Sequence, residues 1–234
     1  MQLKGTWLLR KVIMDTIRNV RIVDCAESIY VKPFRVQYTQ NGKQRFWDLC
    51  RVHDSVACLV YNTTRDCLLF VTQFRPAVYL NRSTIVDKAV DTDRYPGTLG
   101  LTLELCAGIT DKNKSVEKIM QEELEEEIGY RVPLDRIKKV TSYRSGVGTQ
   151  GSKQTLFYAI VSDEDIVSSG GGCESENEMI KVIELSPSEA QNILMDESVM
   201  RTPSLLFAVQ WWMLNHASDA LNKRPADKNK TEGK

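Results

Sequence analysis

EELEEEIGY, residues 122–130, puts five glutamates into six consecutive positions and then stops on a glycine and a tyrosine. Upstream, Ser115 precedes Val116, Ile119, Met120, Leu124 and Ile128, a spacing that predicts one amphipathic helix from Ser115 to Ile128, ended by Gly129. At about 100° per residue, Glu123 and Glu127 fall inside the apolar face and Glu126 lies at its edge, while Glu122 and Glu125 point to the arc that water ordinarily covers. Like charges four residues apart repel by a few tenths of a kcal/mol, and desolvation adds a larger cost. Three explanations are open for the inward pair: a divalent cation that takes oxygen ligands, a buried ion-pair network, or a placement without function.

Outward from that helix the chain alternates between strand and helix signals. Toward the N-terminus, SIYVKPFRVQY and QRFWDL flank the turn signal NGK at 41–43 and predict a small antiparallel sheet within residues 20–51. HDSVACLVYN (53–62) and CLLFVTQFR (67–75) read as a buried hairpin, and LTLELCAG as one further strand. Between them, residues 81–100 contain Pro96, Gly97 and Gly100 without periodicity and read as an irregular insertion. IKKVTSY, TLFYAIV and MIKVIEL supply later strands, with SSGGGCESENE (168–178) as a mobile loop. SPSEAQNIL opens on a capping box formed by Ser186 and Glu189, and a last helix starts near Thr202 and Pro203. The segments 1–19 and 222–234 read as an N-terminal extension and a disordered tail around one main domain, 52–221.

Composition narrows the functional classes. Among 234 residues, 31 Lys and Arg balance 31 Asp and Glu, so no global basic field recruits nucleic acid or an anionic membrane. No apolar run approaches the roughly 20 residues of a membrane span. Six cysteines without a CxxC pair point to buried thiols in a reducing, cytoplasmic setting, and His53 and His216 are too few for a multi-histidine metal site. The first residues carry no cleavage site for secretion, although Lys4, Arg10 and Lys11 before the first acid, Asp15, leave a transit peptide as an alternative.

Gly108, Glu123, Leu124, Glu126, Glu127, Gly129 and Tyr130 together resemble the box of the Nudix hydrolases, Gly-x5-Glu-x7-Arg-Glu-U-x-Glu-Glu-x-Gly-U, with U a bulky apolar residue. Two positions depart from it: Lys114 stands where the first glutamate is expected, and Glu122 stands where the family has the arginine that helps hold the glutamates. QFRPAVY, ELCAG, SYRSGVG and the acidic stretch before MIKVIEL extend the similarity, from about Val20 to Leu214, to the nucleoside diphosphate sugar pyrophosphatase branch and to its members acting on UDP-glucose.

The resemblance implies an α/β/α sandwich with a mixed sheet beside the small N-terminal antiparallel sheet, and magnesium-dependent (or manganese-dependent) hydrolysis of a UDP-sugar to UMP and a sugar 1-phosphate. An ADP-ribose or ADP-sugar pyrophosphatase is the alternative, and Gly146, where ADP-ribose enzymes tend to carry proline, favours uridine. A nucleotide-sugar-binding protein with weak catalysis is a further alternative, raised by Lys114 and Glu122. By the same resemblance Glu123, Glu126 and Glu127 hold metal, with the carbonyl of Ala107, while Glu104 binds through water or pairs with a base. Glu178 is the expected general base, with Glu176 and Glu174 as alternates. Trp47, Gln73, Arg75, Arg144 and Ser145 are expected to bind the substrate, and the N-terminal sheet to build a homodimer. Trp211 and Trp212 read as helix packing.

Overall fold

In the computed structural model, residues 16–25, 28, 31–111, 113–173 and 178–221 are described, for 217–221 as backbone only. Most of the expected N-terminal extension, the C-terminal tail, and Glu174 and Glu176 lie outside them. The first element is a separate hairpin, β1 (Lys32–Gln40) and β2 (Lys43–Arg51), in register from Lys32 opposite Arg51 to Gln40 opposite Lys43. Asn41 and Gly42 both take positive φ at its tip, as an Asn-Gly two-residue turn requires.

The main sheet has seven strands and grows from β3 (Ser55–Asn62) and β4 (Cys67–Phe74). These pair only near their turn, Val60 to Asn62 against Leu69 to Cys67, and then part like the arms of a fork. The run LTLELCAGI fills the gap as two strands. β7 (Leu101–Glu104) pairs with β4, β8 (Cys106–Ile109) pairs with β3, and Leu105 separates them. The single strand expected for LTLELCAG is thereby corrected, because each half finds a different open edge to satisfy its backbone. Outside the fork, β10 (Ser152–Val161) runs parallel to β3 and antiparallel to β9 (Ile137–Ser145), and β11 (Ile180–Leu185) runs antiparallel to β4.

Both faces of this sheet are covered, which is why β3 and β4 read as nearly continuous apolar runs. Val56, Cys58, Val60, Leu69 and Val71 face Ile119, Met120, Leu124 and Ile128 of α2 (Val116–Ile128). Each such side chain stabilises the fold by about 1.5–3 kcal/mol when fully buried. Ala57, Leu59, Leu68 and Phe70 face the other way, in one cluster with Ala190 of α3 (Pro187–Asn192) and Leu205, Val209 and Trp212 of α4 (Pro203–Leu221). Trp212 is core, while Trp211 meets Tyr158 edge to face beside His216.

Two further expectations change, and one unassigned stretch gains structure. PAVYLN, unassigned from sequence, is α1 (Pro76–Asn81), a short helix with Pro76 at its first turn, where the missing N–H costs nothing. The insertion 81–100 contains a tight hairpin, β5 (Ile85–Val86) and β6 (Ala89–Val90), against which Val20 and Ile22 hydrogen-bond. Of the six thiols only Cys58, Cys67 and Cys106 are buried, although all six are free of disulfides.

Candidate active site

Where β3 and β4 part, a cavity of about 450 Å³ opens, and its lining includes Glu104, Asp111, Glu123, Glu126, Glu127 and Glu178. The acidic helix reaches it because α2 packs on β8 through a glycine. A Cβ on Gly108 would lie 2.1 Å from Glu123 Oε1, so only glycine lets that carboxylate rest against the strand. α2 begins on Ser115, whose hydroxyl accepts from the Lys118 amide, and ends on Gly129 at φ 79, with Tyr130 N–H returning to the Leu124 carbonyl.

The five glutamates of the run separate as the helical wheel predicts, with two corrections. Glu127 is buried, 2% exposed, and Glu126 is exposed at the edge. Glu123 is only half-buried. Glu122 and Glu125, expected on a simply solvated arc, are also half-buried and ion-paired. Lys114 Nζ reaches both Glu122 oxygens at 2.8 and 2.9 Å, and Arg131 forks onto Glu125 at 2.7 and 3.1 Å. The two departures from the Nudix pattern therefore meet each other: where that pattern places an acid before the helix and a base on it, this chain places Lys114 and Glu122, with the polarity reversed.

Glu127 has a different environment. Its Oε2 accepts the Ala107 amide at 2.9 Å, and the Cys106 thiol donates to the same carboxylate. Burial is the largest influence and raises its pKa to about 8, the two hydrogen bonds oppose that, and the charges of Glu123 and Glu178 add to the rise. Among the described residues no three His, Cys, Asp or Glu side chains are already closed into a metal cage. The donor set still fits a hard divalent cation, since it is all oxygen, and magnesium commonly takes one or two carboxylates and completes its shell with substrate phosphates.

Glu178 comes to the cavity through the glycine-rich segment. Of the stretch expected to be a mobile loop, residues 168–172 lie on the exit of α2, with Gly171 N–H on the Glu127 carbonyl at 3.0 Å and Gly172 N–H on that of Glu126 at 3.1 Å. Glu178 then closes back, its amide on the Cys173 carbonyl and its Oε2 accepting from the Cys173 amide at 3.3 Å.

Arg75, at the end of β4 and at the N-cap of α1, holds Glu104 with Nε and Nη2 at 2.8 and 2.7 Å, and the Thr102 hydroxyl donates to the same carboxylate. Glu104 thus pairs with a base, and the two hydrogens of Nη1 remain to meet an anion. Gln73 and Ala107 line the cavity, and the contribution visible from Ala107 is its amide. Trp47, Arg144 and Ser145 are not brought to it. Trp47 is half exposed and donates to the Gly148 carbonyl at 2.7 Å, which ties the β1–β2 hairpin to the β9–β10 loop, and Arg144 reaches the Gly151 carbonyl. Sequence reasoning missed Ser55, Asp111, Gln154, Thr202 and Ser204, which also line the cavity. Thr202 was visible only as a helix start, and the others are single polar residues at element ends.

No protein-family model matches the chain. The chain is 40% identical over 211 residues to "Uridine diphosphate glucose pyrophosphatase NUDT14" of Bos taurus, covering 85% of this chain and 95% of that one. It is 38% identical over 214 residues to the protein of the same name from Mus musculus, with the same coverage. A "GDP-mannose pyrophosphatase" of Salmonella arizonae matches at 31% over 132 residues, 56% of this chain and 59% of that one.

Proposed function

The chain belongs to the Nudix hydrolases, enzymes acting on acid anhydrides, and from that premise we propose that it cleaves the diphosphate of UDP-glucose or a related UDP-sugar to UMP and a sugar 1-phosphate. The observation that carries this reading is Glu127, a buried carboxylate whose hydrogen-bond partners are an amide and a thiol, set in one cavity with Glu123, Glu126 and Glu178. Glu123, Glu126 and Glu127 would hold magnesium, with the Ala107 carbonyl beside them. Magnesium, when bound, supplies charge that neutralises the diphosphate and acidifies the attacking water.

The chain's own residues have separable tasks. Arg75, oriented by Glu104, offers its outer N–H pair to a phosphate oxygen, and Gln73 supports that contact. Glu178, anchored by the Cys173 amide, is placed to take a proton from water at the cavity mouth. The uridine preference is supported by Gly146 and by the activity for which the bovine and murine relatives are named. The Lys114–Glu122 pair argues for a working helix rather than a binding-only relative, since the reversed charges retain a cross-link at the helix entry.

Two wider readings go with this one. The β1–β2 hairpin exposes Phe34, Tyr38, Phe46 and Trp47, and a two-stranded sheet is marginal by itself, which supports a homodimer built through it. Six cysteines without a disulfide support a reducing, cytoplasmic setting.

Product analysis tests the function: UDP-glucose and ADP-ribose compete in one reaction, with magnesium, manganese or chelator. Metal-dependent release of UMP and glucose 1-phosphate, faster than AMP, is expected. Equal or faster turnover of ADP-ribose would remove the uridine assignment.

A further inference from the structure

We infer that the neutral polar residues lining the cavity, Ser55, Gln154, Thr202 and Ser204, read the hydroxyls of the sugar and so select which nucleotide sugar is cleaved; this rests on the function proposed above. The polar lining of the cavity is of two chemical kinds. Charged groups come from Arg75, Glu104, Asp111, α2 and Glu178, whereas β3, β10 and the start of α4 contribute the neutral hydroxyl and amide groups of Ser55, Gln154, Thr202 and Ser204. A diphosphate is served by cations and strong donors, and none of these four side chains is charged. A pyrimidine ring is served by an aromatic platform, and no Phe, Tyr or Trp is among the described residues that line the cavity. What remains of a nucleotide sugar is its hydroxyls, those of the ribose and those of the sugar, each both donor and acceptor, and a wall of hydroxyls and amides matches that chemistry; of the two sets, only the sugar's differs from one nucleotide sugar to the next.

The wall is also fixed in place. Tyr143, behind it, donates its hydroxyl to Gln154 Oε1 at 2.8 Å, and Gln154 Nε2 donates to Ser55 Oγ at 3.1 Å, directly across the parallel β3–β10 ladder where Gln154 and Ser55 are register partners. The amide orientation is settled by the phenol, which leaves the second Gln154 N–H and the Ser55 O–H as donors for a guest. Ser204 interacts with the same Tyr143 hydroxyl and lies 3.0 Å from Thr202 Oγ1, which accepts the Leu205 amide at the start of α4. Packing of the core does not account for these polar residues. Ser55 and Gln154 sit near the starts of strands that continue into buried core, Val56 to Val60 directly and Leu156 to Ala159 after the buried Thr155. Side chains held this way meet a sugar without losing further rotamer freedom, so a wrong or missing hydroxyl leaves a fixed polar group without its partner.

The test compares kcat/KM for UDP-glucose with that for the methyl ester of UDP, which keeps the nucleoside and the diphosphate and lacks the sugar. The ratio between them is expected to fall about tenfold in Ser55→Ala and in Gln154→Leu, as loss of one hydrogen bond to a bound hydroxyl implies. Ser55→Ala removes a single oxygen at a strand end and keeps the test open should Gln154→Leu disturb folding through Tyr143. An unchanged ratio, whether both substrates fall together or neither does, overturns the sugar-reading wall and leaves the pyrophosphatase standing. A wild type that hydrolyses no nucleotide sugar overturns both.

Discussion

On α2 the arc bearing Glu122 and Glu125 and the arc bearing Glu127 settle their negative charge in opposite ways. Glu122 and Glu125 are half-buried and each meets a cation of this chain, Lys114 and Arg131. Glu127, five residues from Glu122 and two from Glu125, is almost fully buried, and a backbone amide and a thiol are what it hydrogen-bonds. A helix that needed only solubility or cross-linking would repeat the first solution. The second carries a desolvation cost that folding alone does not offset, and it lines a cavity large enough for part of a substrate. What the contrast teaches is that local pairing separates the structural acids from the chemical ones within a single run of sequence.

Glu127→Gln should break the contrast most severely. Turnover of UDP-glucose is expected to fall by about a hundredfold or more with the fold retained, measured by product release alongside thermal unfolding. The same residue sets a pH dependence. Burial pushes its carboxyl up to about 8 in the folded chain, from about 4.5 for a glutamate in water, so the folded state keeps a proton that the unfolded state gives up. Metal-free protein should therefore lose stability as pH rises from about 4.5 to about 8, by up to about 1.4 kcal/mol per pH unit from this group. Urea titrations in chelator across that range should show the slope, and Glu127→Gln should flatten it. A mutant slope equal to that of the wild type would assign the effect to other groups.

The paired arc should respond more mildly and in a reversible way. Glu122→Lys alone sets two ammonium groups against each other at the helix entry and should lower kcat about tenfold by shifting Glu123, whereas Lys114→Glu with Glu122→Lys should recover to within about threefold. Failure of the double exchange to recover would mean that Glu122 acts directly on the reaction. Glu125→Gln should do least, changing unfolding free energy by no more than about 0.5 kcal/mol and leaving kinetics as they were, because its partner Arg131 is largely in water.

Legibility in the sequence followed the range of the interaction. Ser115, Gly129 and the apolar spacing between them specify α2 through contacts within a few residues, and Asn41-Gly42 specifies its turn in the same way. The inward position of Glu127 followed from that geometry alone. The fork did not, because LTLELCAGI looks like one strand until β3 and β4 offer it two separate edges, and that offer depends on how far each continues past its turn. PAVYLN carries no assignment from sequence between the strand ending at Arg75 and the insertion from residue 81, because six residues are too few to show a helical period; the structure makes it α1, with Pro76 in the first turn. Ser55, Gln154 and Ser204 carry no local signal, being ordinary polar residues that acquire a role from what faces them. The reversed Lys114–Glu122 pair was visible as two mismatches, and only their distance in space makes them one compensated change.

The amides of Gly171 and Gly172 resting on the carbonyls of Glu127 and Glu126 have a mechanical consequence. The last turn of the acidic helix and the segment leading to Glu178 form one clasp, so anything that tugs on the segment is felt at the carboxylates, and occupancy at the carboxylates is felt in the segment. Chain length gained or lost before Gly171 would disturb the helix exit itself, whereas length gained after Cys173 would alter only how far Glu178 can reach.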